Sequence, residues 1–141
     1  MLPEMELLQY IYKTADMGCQ GIETVRERAK GELKEELGRE HEEYGHIRKA
    51  ADGMIRQAGD TPGGVGTMAR ISSEMMSMGQ LALDDSRGKI AEMMVQGTTM
   101  GIVKTIRHLN DYQGQDEAAR SLGKRLLQTQ ESNVERMKAY L

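Results

Sequence analysis

Proline occurs at only two places in this chain, Pro3 and Pro62, and no β-branched run interrupts the stretches of Glu, Lys, Arg, Gln, Leu, Met and Ala between its Gly-containing breaks. Proline in a helix interior removes a backbone donor and costs about 3 kcal/mol, so long segments that lack it and are rich in straight-chain residues favour helix. The spacing predicts helix A near residues 4 to 29, B near 32 to 58, C near 65 to 85, D near 87 to 112 and E near 116 to 140. Gly59-Asp60-Thr61-Pro62-Gly63-Gly64 is the clearest loop. The fold class is all-α, and 141 residues make one domain.

Apolar residues recur at three and four along these segments, which places them on one face. In helix A the stripe is Leu8, Ile11, Tyr12, Ala15, Cys19, Ile22 and Ala29; in B it is Leu33, Leu37, Tyr44, Ile47, Ala51, Met54 and Ala58; in E it is Leu122, Leu126, Val134, Met137 and Leu141. Helix D differs, because Ile90, Met94 and Leu109 form one stripe while Val95, Ile102, Val103 and Ile106 carry apolar surface round to a second side. That second side calls for a neighbour: helix C for part of it and a second copy of the chain for the rest, so a homo-oligomer, a dimer first, is expected through the surface of helix C or D.

With no Phe, no Trp and 12 Met, the core must be built from Leu, Ile, Val, Ala and Met. The formal net charge is -3 with both signs interleaved, which argues against nucleic acid and anionic membrane as partners. The start MLPEMELLQYIY has neither a basic leader nor a long apolar run, so a cytoplasmic protein is expected. Cys19, the one cysteine, sits in an apolar stripe and is expected as a buried, reduced thiol.

An internal echo links the two ends of the chain. Met17-Gly18 and Met100-Gly101 are 83 residues apart, and the same shift carries Met54 onto Met137. Helices A with B (4–58) and D with E (87–140) therefore read as two related hairpins, with helix C (65–85) as the crossover. The segments ELLQYIYKTADMG and IAEMMVQGTTMGIV resemble small bacterial helical proteins of the ferritin-like superfamily, and ELKEELGREHEEYGHIRKAADGMI is distantly similar to the spore-coat F type. The resemblance implies a ferritin-like antiparallel four-helix bundle with an added crossover helix, in bacterial cytoplasm or a spore-related assembly.

Metal-binding members of that superfamily take one Glu from the middle of each hairpin's first helix and a Glu-x-x-His from each second helix, and so hold two iron or manganese ions. Helix B contains Glu43-Tyr44-Gly45-His46, but helix E offers Leu126 and Thr129 at the equivalent positions. The middles of A and D are Met17-Gly18-Cys19 and Met100-Gly101-Ile102, with Asp16 and Glu23 at the edge of the stripe. At 100° per residue, Glu40 falls at the centre of helix B's apolar stripe, Glu43 at its margin and His46 outside it. A complete two-metal centre is therefore not expected.

A carboxylate at Glu40 must be paired, hydrogen-bonded or protonated, and Gln130 and Asn133 of helix E are inward polar groups of the same kind. Tyr44 and Arg26 are its expected neighbours. His108 is expected on the inward stripe of D, and His41 and His46 on a solvated charged face. The methionines Met68, Met75, Met76 and Met78 of helix C suit core packing or a protein-binding face, and Gly18, Gly21, Gly97 and Gly101 suggest close approach of A to D. No nucleophile elbow, phosphate loop or dinucleotide fingerprint is present, and Gly63-Gly64-Val65-Gly66 reads as a linker. The sequence points to a non-enzymatic structural or interaction bundle with no cofactor. Its alternative is a degenerate iron- or manganese-handling protein using Glu40, Glu43 and Glu23 with His46 or His108.

Overall fold

The computed structural model describes residues 3–63 and 84–141. It contains four α-helices, α1 (Pro3–Arg26), α2 (Gly31–Gln57), α3 (Arg87–Asp111) and α4 (Glu117–Met137), and a closing 3-10 turn at Lys138–Tyr140. Helix C lies outside the described residues except for its last two positions, Asp84 and Asp85, which are not helical. The helix boundaries follow local chemistry. The side chains of Ser86 and Asp116 accept hydrogen bonds from the first-turn amides of Lys89 and Ala119 and so cap α3 and α4. After α1 and α2 the chain turns at Gly31 and Gly59, whose φ angles of 59° and 87° favour glycine.

Each pair of sequential helices forms an antiparallel hairpin. Across α1 and α2, Arg48 reaches Asp16 and His41 reaches Glu23, so residue numbers rise on one helix as they fall on the other. Across α3 and α4, Gly101 lies against Gln130 and Gly123 against Leu109. Tyr10 meets Thr105 near one end of α1, and Arg28 meets Asp85 just beyond the other, so α1 is also antiparallel to α3. The directions are therefore up, down, down, up, so the end of α2 and the start of α3 lie at opposite ends of the bundle.

The core is built largely from the predicted stripes: Leu8, Ile11, Ala15, Cys19, Ile22, Leu33, Leu37, Ile47, Ala51, Ile90, Leu126 and Met137 are all buried. Several stripe positions are corrected: Tyr12, Met54, Met94, Leu109 and Val134 are only half-buried, and Ala58 and Leu141 are exposed, the last two because α2 ends at Gln57 and α4 at Met137 before the stripes continue. Met5, Leu7, Val25 and Ile55 join the core from outside those stripes. Cys19 is a buried free thiol that donates to the His41 carbonyl, with its pKa pushed up chiefly by burial.

The expected close approach of α1 to α3 at their glycines does not occur. Those two helices are tied at their ends. At one, the Tyr10 ring stacks on His108 with centroids 3.7 Å apart and its hydroxyl shares a 2.8 Å hydrogen bond with Thr105; at the other, Arg28 faces Asp85 at 3.9 Å. Between these ties they stand apart. α4 packs against both α1 and α2.

Candidate functional site

Where α2 and α4 face each other, the bundle carries a buried polar cluster. Glu40 is 0% exposed, and Gln130 and Asn133, one helical turn apart on α4, are almost as completely enclosed. Both oxygens of Glu40, the amide oxygen of Gln130 and both amide atoms of Asn133 have no conventional hydrogen-bond partner among the described residues. Such atoms normally find partners, because a buried polar group without one loses its hydration with nothing in return.

Protonation resolves part of the cost. Burial, reinforced by Glu36 one turn back on α2, pushes the Glu40 carboxyl up to about 9. As a neutral acid it becomes the donor that two carboxylates facing each other lack, and it can bond to Glu36. Burial would raise Glu36 too, but the Arg39 guanidinium and the Glu40 proton hold it below its ordinary value. The pair thus shares one proton at neutral pH. Its cationic neighbours are Arg39 and Arg136. Arg26, expected beside it, instead donates to the Lys34 carbonyl and lies against Gly38.

Tyr44 connects this cluster to a second feature. Burial pushes its hydroxyl up to about 12, with Asn133 and Thr98 as its polar neighbours, so it remains a phenol. Its ring fills the notch left by Gly18: a Cβ there would sit 2.9 Å from the ring. Gly101 does the same in the other hairpin, where a Cβ would meet the Gln130 amide nitrogen at 2.8 Å. In each hairpin, then, a glycine of the first helix admits a side chain of the second, at the two positions linked by the 83-residue echo.

Above Tyr44 and Gln130 opens a cleft of about 230 Å³ between α1 and α3. Met17, Ile22 and Val25 form one wall, Met93 and Met94 the other, and Gly21 and Gly97 stand on the two rims. Among the described residues no charged side chain lines it. Cβ atoms at Gly21 and Gly97 would meet nothing within 4 Å among the described residues.

The residues singled out as metal candidates are not brought together. Glu40 is inside; Glu43 lies at the α2–α4 surface against Arg39 and 3.9 Å from Arg136. Glu23 bonds His41 at 2.9 Å on the far side of α2, and His46 is exposed. His108, expected to face inward, is exposed and stacked on Tyr10, because α3 is rotated to direct Thr105 rather than His108 at the core. Among the described residues no group of three or more His, Cys, Asp or Glu is placed to hold a metal ion. The inward set is one neutral carboxyl, two amides and a phenol, which does not match the carboxylate and imidazole donors of a two-metal centre.

The periodicity of α1 puts Asp16 only at a stripe's edge. It is buried, accepting from Arg48 at 3.0 Å and Gln20 at 2.9 Å, and the signal available was its i to i+4 spacing to Gln20. The cleft left no such trace. No family model matches this chain, and no match is found among curated proteins or solved structures.

Proposed function

We propose that this protein is a non-enzymatic, ferritin-like helical bundle that acts by association, pairing with a second copy of itself through the outer face of α3. The observation that carries this reading is a stripe of large apolar side chains on that face: Met100, Val103 and Ile106 are 64%, 46% and 40% exposed. Exposed apolar groups clustered on one helix face mark contact surfaces, whereas scattered ones are ordinary. The up, down, down, up order of helices and the long link between hairpins support the ferritin-like assignment. No helix among the described residues is long and apolar enough to cross a membrane, which agrees with work in the bacterial cytoplasm or a spore-related assembly.

Light-scattering mass tests the association. The wild-type protein is expected at a multiple of 15.8 kDa, and the double variant Val103→Glu, Ile106→Glu at 15.8 kDa with unchanged helicity. A wild-type protein that stays at 15.8 kDa through the micromolar range removes the reading. Elemental analysis of the same sample covers the alternative: stoichiometric iron or manganese, lost on Glu40→Gln, would make this a metal-handling protein instead.

A further inference from the structure

We infer that the self-association proposed above, on which this inference rests, pairs α3 antiparallel with α3 of a second copy, with the two-fold axis passing at Val103. The first observation is the order of side chains along the exposed stripe. Val103 stands at its centre, with Met100 and Ile106 three residues to either side and the carboxamides Gln96 and Asn110 seven residues to either side; all are exposed. Steps of three and seven keep these residues on one helix face. The stripe therefore reads amide, apolar, apolar, apolar, amide in both directions.

A two-fold pairing of identical surfaces needs a face that meets itself when reversed, because residue i contacts j of the partner while j contacts i. With the helices antiparallel about Val103, Met100 meets the partner's Ile106, and Gln96 meets the partner's Asn110. The apolar groups leave water together. Each end of the patch then closes on two carboxamides, which carry both donors and acceptors and so can satisfy each other.

Charge gives a second, independent reason for this orientation. Lys89, Glu92 and Arg107 share this side of α3. A parallel pairing would set each of them against its own copy, like charge on like. In the antiparallel one, Arg107 comes opposite the partner's Thr99, a hydroxyl, while Lys89 and Glu92 fall beyond the partner's Asp111, where α3 ends. The two helix dipoles also oppose each other.

Disulfide trapping in the full chain tests the pairing. Cys19 is buried, so the wild-type chain oxidised with diamide is the unlinked control. Val103→Cys sets one thiol beside its own copy on the axis and should give about tenfold or more linked dimer than that control. Gln96→Cys and Asn110→Cys, each oxidised alone, should stay unlinked. At about 1.5 Å per residue, the two copies of either position stand about 21 Å apart along the helix axes. Mixed in equal amounts, the two variants should link to each other.

Linked dimer from Gln96→Cys alone, with none from the mixture, would make the pairing parallel and overturn this inference while leaving self-association intact. An unlinked Val103→Cys whose light-scattering mass is still a multiple of 15.8 kDa would overturn it too, by moving the contact to another face. A wild-type mass of 15.8 kDa would remove both readings and give the stripe to a different partner.

Discussion

The two seams flanking α1 are built from the same helix and differ in nearly everything else. On the α2 side, Asp16, Cys19, Glu23 and Arg26 all find polar partners across the interface, and Ala15 is closed over completely. On the α3 side the helices are fastened at Tyr10 and Arg28, and between those ties the described residues leave a cleft edged by glycines and methionines. The difference shows that a glycine's meaning is set by the helix opposite. Gly18 faces Tyr44 and becomes a packing notch; Gly21, one turn along, faces nothing among the described residues and becomes a rim.

The largest expected contrast lies in truncation. Ile47 is fully buried in the closed part of the bundle, so Ile47→Ala should cost about 3 kcal/mol in urea unfolding. Met93, half-buried on the cleft wall, should cost less than about 1 kcal/mol as Met93→Ala. Equal losses would mean that the two regions are equally packed.

The buried acid sharpens the comparison through pH. Folded, Glu40 keeps its proton to about pH 9, whereas in the unfolded chain it releases it near 4.5. Its contribution to stability is therefore complete below 4.5 and lost as pH rises toward 9, by up to about 1.4 kcal/mol per pH unit. Glu36, held low, acts in the opposite sense, and only as pH falls below its unfolded value of 4.5. From pH 5 to pH 8 the wild-type protein should lose up to about 4 kcal/mol. Glu40→Gln retains a donor for Glu36 and carries no proton to lose, so its stability should stay nearly flat across that range. Parallel slopes for the two proteins would show that Glu40 ionises normally.

The smallest test is the most direct, since it sets two glycines of α1 against each other. Gly21→Ala should stabilise by about 0.5 to 1 kcal/mol through helix propensity alone. Gly18→Ala should destabilise by about 1 kcal/mol, because crowding against the Tyr44 ring outweighs the same gain. Shifts of the same sign in the two urea midpoints would erase the distinction between notch and rim.

Much of the bundle was legible because helices advertise themselves locally. The absence of interior proline, the three-and-four periodicity and the breaks near residues 30, 60 and 114 placed all four described helices within a few residues of their ends. Glu40, Gln130 and Asn133 were legible by the same arithmetic, since 100° per residue puts them among core positions. His108 was misplaced because a stripe's centre is ambiguous on a helix with two apolar sides, and the tie between Tyr10 and Thr105 settled the rotation of α3.

What the sequence by itself determined, then, is that this chain forms helices, which face of each is apolar, and that one carboxyl must be buried among them. Those properties depend on residues within a few positions of one another. Only the tertiary structure decided that α4 packs against both α1 and α2, that Glu40 is enclosed beside Glu36 with its carboxyl pushed up, and that Gly21 and Gly97 border a cleft among the described residues. The physical reason is that the space beside a glycine belongs to another helix. Its size depends on how whole helices settle against one another, and no local pattern records that.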